Sequence, residues 1–319
     1  MEEKRPMVSV VVLTYNHEKY IKQALDSILM QKVNFDYEIL IGDDGSTDNT
    51  AKILKEYQNK YPNEIKLFLN KENLGATRNA YNLLKNARGY YLASCEGDDF
   101  WTDENKLQIQ VDYLNDNKEF VACAHDFEIV DENNKKYKKQ YLSWIKRKTI
   151  FSIYDFDGIY LPSHPNTFLR RNLIYEGKVC LEYLIETHSM IGDRTLLLLY
   201  LLIGKFITLK KVMSSYRIVR VNRNLVTSKI YSNVYKSLMD DYDITKKMES
   251  IANKYGYIIK FDAVRKIIFS KAILCIFLYA DKKFVSVAYE VFKESNYNYK
   301  YVFYVFYYLL QKIKWRYLK

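Results

Sequence analysis

Four prolines and ten glycines among 319 residues are too few for long irregular linkers, so the chain is expected to fold throughout. Its four cysteines, Cys95, Cys123, Cys180 and Cys275, stand far apart and make no C-x-x-C pair. That argues against a zinc ribbon or a small disulfide scaffold and fits a reducing compartment. Long apolar runs are lacking too. Leu196 to Ile203, Ala272 to Ala280 and Tyr301 to Leu310 fall well short of the ~20 residues that cross a bilayer as a helix. The charged segment Met1 to Met7 runs straight into the first apolar stretch, leaving no space for a signal peptide's apolar segment. A cytoplasmic protein is therefore expected, with a peripheral position on the inner face of the membrane as the open alternative.

Basic charge is abundant. A net charge of +11 suits nucleic acid, anionic substrates or an anionic membrane surface, and by itself does not choose among them. With 49% hydrophobic and 27% charged residues the composition is globular, and the length allows one large domain with an extension.

Residues 8–13, Val-Ser-Val-Val-Val-Leu, form a β-branched run of the kind buried on both faces of a parallel sheet. Ile21, Ala24, Leu25, Ile28 and Leu29 then recur at helical spacing, and a strand from Tyr37 to Ile41 stops at Gly42-Asp43-Asp44-Gly45. The alternation continues with a helix capped by Ser46 or Thr47 and running through Tyr57, and a strand from Ile65 to Leu69. A helix from Thr77 to Asn86, a strand from Tyr90 to Ser94, a helix from Lys106 to Asn115 and a strand from Phe120 to Ile129 follow. Asp131 to Lys139 reads as a hairpin tip or loop. This pattern predicts an α/β fold with a mainly parallel sheet flanked by helices, ligands binding at the carboxyl edge of the strands. Residues 1–232 are expected to form that catalytic domain and 233–319 a helical C-terminal extension.

Acidic clusters fall on the predicted ligand edge. Gly42-Asp-Asp-Gly-Ser-Thr-Asp48 follows a buried strand, where it serves either as a binding turn or as a turn with a helix N-cap. Cys95-Glu-Gly-Asp-Asp-Phe-Trp101 ends another strand with adjacent carboxylates, which are costly unless a cation or hydrogen-bond donors satisfy them. Mg²⁺ or Mn²⁺ on one or two carboxylates, completed by phosphate oxygens and water, would do so. Asn73 to Asn79 leads a loop into a helix and offers backbone N–H groups with the Arg78 guanidinium.

Val8 to Asn16, Gly42 to Asp48, Asn73-Leu-Gly75, Cys95 to Asp99 and Ile191-Gly-Asp193, in this order and spacing, resemble the family 2 glycosyltransferases. The likeness is strong over about 7–130, weaker to about 230 and absent beyond. The stretch Cys95 to Tyr113 looks like bacterial members that build capsule, lipopolysaccharide or other surface glycans. The resemblance implies a GT-A fold, Rossmann-like, and metal-dependent, inverting transfer of a hexosyl or N-acetylhexosaminyl group. The donor would be a nucleotide sugar, expected to be UDP-linked, and the acceptor a glycan or a lipid-linked oligosaccharide. By the same resemblance Thr14, Tyr15 and Glu18 line the base and ribose pocket, Asp44 holds the nucleobase and Arg78 lies near the nucleotide. Asp98 contacts ribose, Asp99 coordinates the metal, His164 lies on the acceptor side, lining the site or assisting at the metal, and Asp193 is the catalytic base.

One departure concerns the metal. Many relatives carry a histidine after the strand that here ends in Tyr216-Arg217, whereas this chain continues Ile218-Val-Arg-Val-Asn-Arg223, which leaves the protein shell of the ion incomplete. Arg217, Arg220 and Arg223 either neutralise diphosphate or form a solvated basic loop. The segment Lys300 to Lys319 has aromatic and basic residues and no acidic one, suiting a membrane interface or a packed helix equally. Two competing functions remain: a nucleotide-sugar-binding protein without turnover, and a metal-dependent nucleotidyltransferase. The second needs a glycine-rich phosphate loop after its first strand, and Thr14-Tyr-Asn-His17 is not one. Nucleic acid is not an expected partner, since the acidic edge repels phosphate unless metal is bound.

Overall fold

The computed structural model describes residues 4–140, 142, 144–219, 234–279, 283–295 and 300. The chain divides into two compact units, Met1–Phe156 with Tyr160–Val221, and Asp157–Ile159 with Asn222–Lys319.

In the first unit β1 (Val8–Thr14), β2 (Tyr37–Asp43), β3 (Ile65–Leu69) and β4 (Tyr91–Glu96) pair in parallel, in the spatial order β3-β2-β1-β4. They alternate with α1 (Ile21–Leu29), α2 (Thr50–Lys60) and α3 (Ala76–Asn86). Val8, Val10 and Val12 enter one core with Ile21, Leu25 and Ile28 of α1. Val11 enters the other with Leu83 and Leu84 of α3. Both faces of β1 are therefore covered by apolar side chains, which is why it reads as a nearly unbroken hydrophobic run instead of an alternation.

The sheet extends through β5 (Phe100–Trp101), β6 (Phe120–Asp131), β7 (Ile150–Phe151), β8 (Leu169–Arg171) and β9 (Lys205–Ile218), with α4 (Lys106–Asp116), α5 (Glu182–Thr187) and α6 (Asp193–Leu201) alongside. Strand β8 lies antiparallel between β4 and β6, β6 pairs in parallel with β9, and β5 and β7 join β9 antiparallel. The expected mixed α/β architecture with a mainly parallel sheet is thus present. The expected cap of α2 is not. Its first residue is Thr50, whose N–H donates to Asp48 Oδ1 at 2.9 Å, while the Ser46 hydroxyl bridges Asp43 and the N–H of Asn16. The 131–139 stretch opens as a hairpin tip, with Asn134 at φ 64 and Val130 bridged to Lys136.

The second unit holds the helices α7 (Val234–Lys254), α8 (Asp262–Tyr279) and α9 (Lys283–Glu294), tied together by Arg265, which pairs with Glu249 and Glu294. No helix among the described residues is long and apolar enough to cross a membrane. Arg220, Arg223 and the basic aromatic segment 301–319 lie outside the described residues.

Lys106 of α4 is completely buried. Its ammonium donates to Gln110 Oε1 at 2.8 Å and stands 4.1 Å from the Trp101 ring centroid. Burial holds its pKa down at about 7, against an ordinary 10.5. Between those values the unfolded chain binds a proton that the folded chain has shed, so stability contributed by this group rises with pH across the window. Lys106→Met is expected to flatten that rise, as measured by urea denaturation at intervals from about pH 7 to about pH 10.

Candidate active site

The turns after β1 and β2 are bonded to each other. Asn16, in a left-handed conformation at φ 56, accepts from the Thr47 N–H at 2.8 Å through Oδ1. Glu18 Oε2 accepts from the N–H and the side-chain amide of Asn49, and Glu18 N–H donates to Asp48. Glu18 therefore fastens these turns, and Tyr15 beside it is half-buried.

Asp44, 4% exposed, also has partners within the chain. Its Oδ1 accepts from Asn70 Nδ2 at 3.1 Å and from Leu74 N–H at 2.9 Å, and its Oδ2 accepts from Gly75 N–H at 3.0 Å. The carboxylate expected to hold a nucleobase thus also clamps the loop that opens α3. Gly75 sits there at φ +90, a conformation that favours glycine. Arg78, in the first turn of α3, is exposed and makes no hydrogen bond or ion pair among the described residues.

The end of β4 carries the acids. Gly97 permits its approach to β1, because a Cβ at this position would fall 2.8 Å from Thr14 Oγ1 and 2.8 Å from His17 Nδ1. Those two atoms are buried and have no hydrogen-bond partner among the described residues. His17 Nε2 lies 3.9 Å from Asp98 Oδ2. Asp99 is 1% exposed, and its two oxygens accept from Asn166 Nδ2 at 2.9 Å and from the backbone N–H of Arg217 at 2.8 Å.

His164, predicted on the acceptor side, lies within 3.6 Å of Asp99, Nδ1 to Oδ2. It packs on Tyr216 with ring centroids 4.1 Å apart and is flanked by Trp144 and Phe127. One ligand atom each from Glu96, Asp99 and His164 falls within 4.8 Å of the others. A histidine from the 162–165 segment thus stands beside the acids at the end of β4.

The electrostatics fit a divalent cation. Burial, followed by the charges of Asp98 and Asp193, pushes the Glu96 carboxyl up to about 8. Burial, Asp98 and Glu96 push Asp99 well above the carboxylate range, partly opposed by the Arg217 N–H. Burial lowers His164 to about 4, so its imidazole is neutral and suited to ligation. Two carboxyls driven toward protonation by burial and by the Asp98 charge, beside a neutral imidazole, are a donor set that Mn²⁺ or Mg²⁺ satisfies.

Asp193 begins α6 and accepts from the N–H of Arg194 at 2.8 Å. Solvent reaches it, although surrounding protein raises its carboxyl above the ordinary range, with Arg194 the largest opposing influence. With solvent access the shift is strongly screened. Its charge is one of those that raise the Glu96 carboxyl.

Arg217 corrects an expectation. Its Nε donates to Asp98 O at 2.7 Å, Nη1 to Asp131 O at 3.2 Å and Asn134 Oδ1 at 2.8 Å, and Nη2 to Gln23 Oε1 at 2.8 Å. Its guanidinium faces Tyr20 and Phe100. With these donors directed into the protein, Arg217 locks the Asp98–Asp99 turn and is not a diphosphate ligand. The sequence reading also missed Glu96, although it stands inside the quoted acidic run, and Asn166, which no motif announces.

The family model described as Glycosyl transferase family 2 matches residues 9–177, more than half of the 319 residues. The chain belongs to glycosyl transferase family 2. Over 129 residues it is 43% identical to an uncharacterised protein of Mycobacterium tuberculosis, the match covering 40% of this chain and 37% of that one. Over 127 residues it is 34% identical to Bacillus subtilis TuaG, named as a teichuronic acid biosynthesis glycosyltransferase, covering 40% of this chain and 48% of TuaG. The chain thus spans less than half the length of these curated relatives.

Among solved structures, Staphylococcus aureus TarS 1–349 in complex with UDP-GlcNAc superposes with a TM-score of 0.54 at 15% identity, covering 91% of each chain. The mannosyltransferase PcManGT of Pyrobaculum calidifontis, in complex with GDP-Man and Mn²⁺, gives 0.51 at 15% identity, covering 95% of this chain and 84% of that one. These structures share the fold of this family member.

Replacing Arg217 by Lys keeps the charge and removes the fork that joins Asp98, Asp131, Asn134 and Gln23. Urea denaturation is expected to show a loss of about 1 kcal/mol, since part-buried acceptors lose their donor.

Proposed function

We propose that the chain transfers a sugar from a nucleotide-sugar donor, UDP-linked, to a glycan or lipid-linked acceptor in bacterial surface-polysaccharide synthesis, with inversion at the anomeric carbon. The observation that carries this reading is the clustering of Glu96, Asp99 and His164 in a family 2 fold, with the charges of Asp98 and Asp193 acting on Glu96. TuaG's name supports a polysaccharide product, and the nucleotide sugars in the TarS and PcManGT complexes support the donor class.

Glu96, Asp99 and His164 would hold a divalent ion, which supplies positive charge to the departing diphosphate. Asp98, half-buried, would accept from ribose hydroxyls. Thr14 and Tyr15 line the donor pocket, the buried unpaired hydroxyl of Thr14 being one donor available to a ligand. Glu18 and Asp44 shape that pocket through the loops they fasten, and exposed Arg78 offers its charge to the nucleotide. Asp193 takes the proton from the acceptor hydroxyl as its oxygen attacks the anomeric carbon. The contact of Asp193 with solvent leaves an approach for the acceptor.

A panel of UDP-, GDP- and dTDP-sugars with Mn²⁺, assayed for release of nucleoside diphosphate, identifies the donor. Asp193→Asn is expected to cut transfer by about 10²–10⁴-fold, with donor binding by calorimetry nearly unchanged. Asp99→Ala is expected to abolish the metal dependence of donor binding. Full transfer by Asp193→Asn, or metal-independent binding untouched by Asp99→Ala, would refute the respective assignment.

A further inference from the structure

The turn that delivers Asp193 is built around a histidine. The N–H groups of Met190 and Ile191 both donate to His188 Nδ1, each at 3.0 Å. An imidazole nitrogen accepts only when it carries no proton, so the ring presents a lone pair to two successive amides. We propose that His188 is a positioning residue for Asp193, its Nδ1 serving as the acceptor that shapes the 188–193 turn. This rests on the reading of Asp193 as the base.

The same turn is gripped from outside. Thr77 N–H, in the first turn of α3, donates to Ser189 O at 3.2 Å. Gly75 lies so close that a Cβ there would come within 2.8 Å of Met190 Sδ and 2.9 Å of Ser189 O. Gly192 in turn abuts Thr77 and Leu184, where a Cβ would have 3.1 Å to each. The loop fixed by Asp44 thus presses on the turn that His188 organises.

Beyond the turn, α6 is anchored by Leu197, Leu198, Leu199 and Leu201, all nearly solvent-free, so the helix cannot rotate to compensate for a displaced start. Asp193 is its first residue. The aim of the carboxylate therefore follows the backbone of 188–192. Met190 and Ile191 are only half-buried, so water can replace the lost acceptor. Removing it is then expected to disturb the turn while sparing the fold.

The test uses the full chain with Mn²⁺ and three variants, His188→Phe, His188→Asn and Asp193→Asn. Phenylalanine keeps a ring without the acceptor, whereas asparagine keeps an acceptor at the δ position without the ring. The probe is whichever of UDP-GlcNAc, UDP-glucose, dTDP-glucose and GDP-mannose releases its nucleoside diphosphate fastest. Donor affinity is measured by calorimetry, and hydrogen exchange is followed in the peptide covering 188–193.

His188→Phe is expected to lower kcat at least about tenfold with the donor Kd within about twofold, and to speed exchange of the Met190 and Ile191 amides, because a displacement of about 1 Å can cost up to 10²-fold in rate. His188→Asn is expected to stay near wild type in both. The inference is overturned if His188→Phe retains kcat, if His188→Asn falls as far as His188→Phe, or if amide exchange is unchanged. Loss of activity in Asp193→Asn with full activity in His188→Phe overturns the role of His188 alone. Full turnover by Asp193→Asn removes the base assignment and the positioning role together, whatever the exchange shows. If no probe turns over, unchanged exchange in His188→Phe still overturns the inference.

Discussion

A carboxylate buried among other carboxylates persists only where donors surround it or a cation joins it. Asp99 stands under that constraint, and much of the surrounding architecture answers it. Asn166 gives it one hydrogen bond and the backbone of Arg217 another. The same asparagine is held by Ser214 and donates to Ser215 O, while its carbonyl receives the Trp101 indole N–H. The start of β5, the end of β9 and the short helical turn after His164 therefore meet around one acidic group. The guanidinium of Arg217 extends this hold to α1 and to the 131–135 turn.

The parallel half of the sheet was legible because its signals are local. An apolar β-branched run, a helical repeat and an abrupt Gly-Asp stop each arise within a few residues, and β1 through β4 follow them closely. The carboxyl-edge placement of Asp44, Asp98 and Asp99 came with that topology. Roles were less legible than positions. Asp44 and Glu18 sit where the motifs put them, and each carboxylate also accepts from backbone and side-chain amides of a neighbouring loop, a matter of side-chain direction that spacing does not encode. The start of α2 was misjudged for a similar reason. Ser46 has a cap's chemistry, and its hydroxyl is drawn away by Asp43 and Asn16.

Long-range partnerships were not readable. His164 and Asp99 are separated by 65 residues and meet only because β8 inserts antiparallel between β4 and β6, which no local pattern announces. His164 thereby stands beside Asp99. His188 escaped notice likewise, since a lone histidine after a short helix has no signature until its acceptor nitrogen is seen facing two amides.

The bonding between the β1 and β2 turns has a further consequence. Asn16, Glu18, Ser46, Asp48 and Asn49 interlock through backbone amides, so the two turns form a single rigid edge before any ligand arrives. A molecule bound against that edge would find its contacts already ordered, and little of its binding free energy would be lost to freezing loops. Discrimination among ligands there would come from shape fixed in advance instead of from closure around whatever enters.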